Sequence, residues 1–103
     1  MCGLTGLLRS SPSDDIIGQV ARMTARLVHR GPDDEGVWSE DGIGLGHRRL
    51  AILDLSATGA QPMHSACGQF VLAYNGEIYN HLDLRQALQT ENAAPQWRGQ
   101  SDT

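Results

Sequence analysis

The sequence predicts a small α+β domain, and three observations carry that prediction. Short apolar runs of strand length recur along the chain, two stretches place apolar residues at helical spacing, and clusters of Gly, Pro or Asn punctuate the intervals. A chain of 103 residues holds at most one domain. Residues 2–8, "CGLTGLL", read as the first strand, with Gly3 and Gly6 permitting close backbone approach. "SSPSDD" interrupts it and offers a helix start, with Ser11 as N-cap, Pro12 at the first helical position and Asp14 three residues after the cap. Ile16, Ile17, Val20, Met23, Leu27 and Val28 then recur at helical spacing. The pattern predicts an amphipathic helix over roughly 12–29, packed on a core and stopped by Gly31 and Pro32.

The stretch "GVWSEDGIGLGHRRLAILDL" reads as two or three strands, with a hairpin turn at Glu40-Asp41-Gly42 between Trp38 and Ile43. Leu50 to Leu55 is nearly continuous in apolar residues, the signature of a strand covered on both faces. "SATGAQP" is a loop, and "QFVLAYN" is another buried strand that ends at the turn Asn75-Gly76. A second helix is expected after Asn80, carried by Leu82, Leu84, Ala87 and Leu88. No repeat or low-complexity tract interrupts the chain. Its end, "WRGQSDT", lacks a capping element and reads as a domain cut short.

Composition narrows the function. Hydrophobic residues make up 40% of the chain, enough to argue against disorder. All eight cations are arginine, twelve carboxylates oppose them, and the net charge is −4. That balance argues against a nucleic-acid or anionic-membrane partner, while leaving single arginines free to bind a carboxylate. Cys2 and Cys67 form no C-x-x-C pair, so a reducing, cytoplasmic setting is expected over a disulfide scaffold. "GLTGLL" is too short for a signal peptide and lacks a basic flank, and no run approaches membrane-spanning length. Cysteine at position 2 excludes N-myristoylation and leaves palmitoylation of Cys2 as a lesser alternative.

Candidate chemistry begins at the same residue. Loss of Met1 would make Cys2 the N-terminus, setting a thiol beside an α-amino group. With pKa values of about 8.5 and 8, the amine is a base able to take the thiol proton, directly or through one water. Position alone favours an incidental cysteine. "HRGPDDEG" (29–36) places His29 and Arg30 where they suit the negative end of a helix, as structural residues shaping a pocket wall. Arg48 and Arg49 stand where an apolar strand should begin, so one of them needs a fixed anionic partner, structural or a ligand. "YNGEIYN" (74–80) is either a plain Asn-Gly turn or a pair of donors, one side-chain amide and one backbone N–H, able to hold an oxyanion. "GIGLG" lacks the strand–turn–helix context of a dinucleotide site, the histidines and cysteines have no metal-ligand spacing, and the absence of lysine excludes a P-loop.

Cys2-Gly3, "HRGPDDEG", "RLAILDL", "GAQPM", "YNGEIYN" and the terminal "SDT" occur in an order that resembles the N-terminal glutaminase domain of glutamine-hydrolysing asparagine synthetases. These are class II glutamine amidotransferases, and the resemblance covers nearly all of the chain. It implies a four-layer αββα sandwich of the N-terminal nucleophile hydrolase type. Residues 1–103 would be the N-terminal portion, without the remainder of the domain and the C-terminal synthetase domain. Two departures are Gly3, where some members have serine, and "ENAAPQWRGQ" leading into "SDT".

The resemblance also implies roles. Met1 is removed and the Cys2 thiol attacks the side-chain amide of glutamine. Asn75 and Gly76 stabilise the oxyanion, and Arg49 clamps the substrate α-carboxylate. Glu77 and Asp102 take its α-amino group, and backbone groups of Ile52 and Leu53 complete the pocket. Cofactors are expected in the synthetase domain, as ATP and Mg²⁺, and none in this segment. Expected partners are L-glutamine, the synthetase domain in cis and a second copy of the chain. The alternatives are a related amidotransferase acting on a sugar, phosphoribosyl or peptide acceptor, and a non-catalytic module.

Overall fold

Strand β3 (Ile43–Arg49) is the centre of the structure, a computed structural model that describes residues 1–11, 15–52 and 56–103. β1 (Gly3–Leu8) and β2 (Asp34–Glu40) pair with it on either side, both antiparallel, in the order β1-β3-β2. The register sets Gly3 opposite Arg48 on one side and Glu35 opposite Arg48 on the other. The expected hairpin joins β2 to β3. Asp41 and Gly42 adopt φ of 46° and 86°, the paired left-handed conformation that suits a two-residue turn between twisted strands.

Helix α1 (Ile16–Ala25) lies on one face of this sheet. Its buried residues are Ile16, Val20 and Thr24, one stripe at intervals of four. The stripe sits over Gly44 and Gly46, where a side chain on β3 would run into Val20, Ile16 and Thr24. The helix therefore reaches the sheet backbone itself. Thr24 Oγ1 donates to the Val20 carbonyl at 2.7 Å, so its contact with Thr5 Oγ1 at 2.8 Å must be donated by Thr5.

The helix is shorter than its periodicity predicts. Its N-cap is Asp15, whose carboxylate accepts from Gly18 N at 3.0 Å, and not Ser11; Pro12 and Asp14 lie outside the described residues. At the other end the bonds tighten to three-residue spacing, Arg26 N to the Met23 carbonyl and Leu27 N to the Thr24 carbonyl, so residues 26–30 form turns. Ile17, Met23 and Val28, expected in the core, are exposed because the helix meets the sheet along one narrow line.

Three further expectations change. Residues 50–52 form no strand, and Ile52 is 73% exposed. Pairing stops at Arg49 because the β1 register ends opposite Arg48 and the β2 register opposite Arg49, leaving residues 50–52 no neighbouring strand; Leu53 to Leu55 lie outside the described residues. "QFVLAYN" contributes only β5 (Val71–Leu72), paired with the equally short β4 (Met63–His64), and Phe70 and Leu72 stay exposed. No strand follows Asn75-Gly76 among the described residues, so that turn closes no hairpin. Helix α2 (His81–Thr90) starts after Asn80 as expected, yet buries none of its residues.

Candidate active site

Alternation along β3 sorts the arginine pair. Side chains two apart share a face, so Gly44, Gly46 and Arg48 turn toward α1 while His47 and Arg49 turn away. Arg48 spends its charge on structure, bonding Glu35 at 2.6 Å and the Gly31 carbonyl at 2.8 Å. Arg49 points into a cleft of about 330 Å³ on the opposite face, which it shares with Met1, Cys2, His47, Asn75 and Asp102.

Cys2 precedes β1 and follows the same alternation. Its neighbour Gly3 packs on Leu27 and Arg30 at the helix side, which leaves the Cys2 side chain for the cleft. The sulfur is half-buried and accepts from Leu50 N at 3.4 Å. Met1 lines the same cleft and is 72% exposed, so removing it would leave a new α-amino group there. Arg49 is held from the other side: its Nη1 donates to the Ser56 carbonyl at 2.7 Å and its guanidinium lies against Gly59. A side chain at position 59, in the 3₁₀ turn Ala57–Gly59, would push that guanidinium aside.

Asn75, Gly76 and Glu77 reach the cleft from the segment after β5. Asp102 arrives from the far end of the chain. Arg85 on α2 stacks over Trp97 at 4.5 Å and donates to the Gly99 carbonyl at 2.6 Å, drawing the tail back along the helix. Asp102 Oδ2 then accepts from Ile78 N at 2.6 Å. Ile52 also lines the cleft, whereas Leu53 lies outside the described residues. The cleft thus gathers one thiol, one guanidinium, two carboxylates and an Asn-Gly pair. Such a set can seat a zwitterion, with a nucleophile and hydrogen-bond donors beside it.

Some placements depart from the sequence reading. His29 and Arg30 are exposed on the turns after α1 and line no part of this cleft. His47, read as one more scattered histidine, is 1% exposed and does line it. Burial pushes its pKa below the ordinary value; the Tyr74 carbonyl opposes this, Arg49 adds to it, and Asp34 opposes it. The imidazole Nε2 lies 3.2 Å from the Tyr74 carbonyl, and Gln61 Oε1 accepts from Tyr74 N at 2.6 Å. Strand alternation from Arg49 could have found His47; nothing local in "GAQPM" marks Gln61. A second cleft of about 360 Å³, with Phe70, Leu72 and Trp97 in its wall, holds none of the residues picked from sequence. Among the described residues, no three of His, Cys, Asp and Glu are grouped to hold a metal ion, and no helix is long and apolar enough to cross a membrane.

The glutamine amidotransferase domain family matches residues 1–103, and the chain belongs to that family. Among its relatives are asparagine synthetase [glutamine-hydrolyzing] 3 of Bacillus subtilis, 40% identical over 100% of this chain, and asparagine synthetase B [glutamine-hydrolyzing] of Escherichia coli, 42% identical over 82% of it. Asparagine synthetase [glutamine-hydrolyzing] of Asparagus officinalis is 40% identical over 85%. The matched stretch makes up 17%, 15% and 15% of those three proteins respectively.

Proposed function

We propose that this domain hydrolyses the side-chain amide of glutamine through Cys2 and delivers the ammonia to ATP-dependent asparagine synthesis from aspartate. The observation that carries the reading is the single cleft into which Cys2, Arg49, Asn75, Gly76, Glu77 and Asp102 converge from four separate parts of the chain. Family membership and the names of the relatives support it.

With Met1 removed, the α-amino group of Cys2 takes the thiol proton and the sulfur bonds to the amide carbon. The carbonyl π-electrons move to oxygen, where the Asn75 side-chain amide and the Gly76 N–H donate to the oxyanion. The proton held by the amine passes to the nitrogen, the C–N bond breaks, and ammonia leaves. Water then adds to the γ-glutamyl thioester, the C–S bond breaks, and glutamate departs with the thiol restored. Arg49 holds the α-carboxylate in a two-pronged contact. Glu77 and Asp102 take the ammonium; Asp102 keeps lone pairs for it beyond the one given to Ile78 N. Backbone groups of Ile52 and Leu53 complete the pocket.

Residues 1–103 are proposed as the N-terminal portion of the glutaminase domain, with a synthetase domain following in the same cytoplasmic protein. The small share of each relative that is matched supports this. ATP and Mg²⁺ would be bound by that later domain. A four-layer αββα sandwich is proposed for the complete domain. Its support is the sheet face away from α1, where Leu4, Leu8 and Ile43 stay exposed, as a face awaiting another layer would be.

The test is chemical. Intact mass of the full chain should lack Met1, and a glutamine-mimicking electrophile should label Cys2 in competition with glutamine. Cys67 is the fair competitor, fully exposed and with its thiol pKa lowered, chiefly by a hydrogen bond with Ser65. Labelling confined to Cys67, or retention of Met1 in active protein, would overturn the proposal.

A further inference from the structure

The geometry points to His47 and Gln61 as positioning residues that clamp Tyr74 from both sides and so aim Asn75 and Gly76 into the cleft. The inference rests on the proposed role of those two residues as oxyanion donors.

β5 ends at Leu72, so no strand ladder holds the segment that carries Asn75 and Gly76. Its order must come from elsewhere, because a donor that wanders stabilises a transition state poorly. Tyr74 supplies the anchorage. Its N–H donates to Gln61 Oε1 at 2.6 Å, and its carbonyl lies 3.2 Å from His47 Nε2. A carbonyl only accepts, so Nε2 must carry the proton, in the neutral ring as in the charged one. The Tyr74 carbonyl shares its rigid peptide plane with the Asn75 N–H. Bonds on both flanks of Tyr74 therefore fix the two peptide planes from which Asn75 departs.

Both clamps are rooted in the substrate-head end of the cleft. His47 precedes Arg49 by two residues on the same face of β3 and is 1% exposed. Gln61 follows by two residues the Gly59 against which the Arg49 guanidinium lies. The cation proposed to seat the glutamine carboxylate and the donors proposed to meet its amide oxygen thus share one scaffold. Gly76 is drawn into the same unit, since its α-carbon packs against the phenol ring of Tyr74. Neither His47 nor Gln61 is required to touch substrate for this purpose.

The test uses the full-length protein, of which residues 1–103 are the proposed N-terminal portion, with Gln61→Leu, which removes the acceptor, and His47→Phe, which removes the donor. Each substitution should speed amide hydrogen exchange across residues 74–76 by about tenfold or more, as expected for one lost hydrogen bond. Each should also lower kcat for glutamine about tenfold while KM stays within about threefold, because a loosened oxyanion donor weakens the transition state alone. Labelling of Cys2 should persist. Gln61→Glu, which keeps an acceptor, and His47→Gln, which keeps a donor, should recover most of kcat. A purely structural role would predict lower thermal stability with kcat intact, and that result overturns the clamp, as does unchanged exchange at 74–76. If His47→Phe unfolds the sheet, seen as lost protection along β3, the Gln61→Leu and Gln61→Glu pair decides alone. A wild-type full-length protein, with the rest of the glutaminase domain and the synthetase domain in place, that releases no ammonia from glutamine would instead overturn the role of Cys2, and with it the purpose assigned to the clamp.

Discussion

Arg48 and Arg49 are adjacent, identical in charge and opposite in fate. Arg48 is neutralised within the fold by Glu35, its side chain only 11% exposed. Arg49, one position on, faces the cleft and is steadied by Ser56 and Gly59. The distinction supports assigning the substrate carboxylate to Arg49. Lysine keeps the charge but loses the planar fork, so Arg49→Lys should leave folding intact and raise KM for glutamine by about 10- to 100-fold. Initial rates against glutamine concentration measure this, and an unchanged KM would remove Arg49 from the proposed clamp.

Between elements, the contact that matters most is the seat of α1 on β3. Gly44 and Gly46 let the helix approach until Val20 is fully buried, and the Thr5–Thr24 hydroxyl pair closes over Gly46. That seat also sets the opposite face, because β3 carries His47 and Arg49 on its reverse side. An alanine at position 46 would run into Thr24 and Thr5, forcing helix and sheet apart. Gly46→Ala in the full chain should cost about 1–3 kcal/mol, read as a lower denaturant midpoint. A midpoint equal to wild type would show that the helix seat tolerates the extra methyl. Residues 50–52 form no strand, and the strand expected over 69–75 shrinks to Val71–Leu72, for a reason at this same scale: an apolar run becomes a strand only where a neighbour offers its ladder.

Over the whole molecule the apolar content is spent unevenly. Ile16 and Val20 are the buried large hydrophobics among the described residues, while Leu4, Leu8, Phe70, Leu72, Leu82 and Leu84 remain exposed. Burying a single such side chain is worth about 1.5–3 kcal/mol, so two of them offset little of the chain's conformational entropy. Residues 1–103 expressed alone should therefore bind a hydrophobic dye, melt without a sharp transition and show little or no glutaminase activity. A cooperative melt in the absence of dye binding would contradict this.

Local signals sufficed for the hairpin at Asp41-Gly42, for the start of α2 after Asn80 and for the existence of α1. Turn chemistry and helical spacing act over a few residues and are written in the chain. Cys2, the Arg48–Arg49 pair and Asn75-Gly76 were likewise legible as candidates, and Glu77 and Asp102 through the family resemblance alone. Their meeting in one cleft was not, because it depends on the parity of β3 and on Arg85 drawing the tail back toward residue 78. Only the tertiary structure decided that Arg48 is bound to Glu35, that His47 and Gln61 bracket Tyr74, and which apolar runs found a partner. Each of those outcomes depends on contacts between residues far apart in sequence, which no local pattern records.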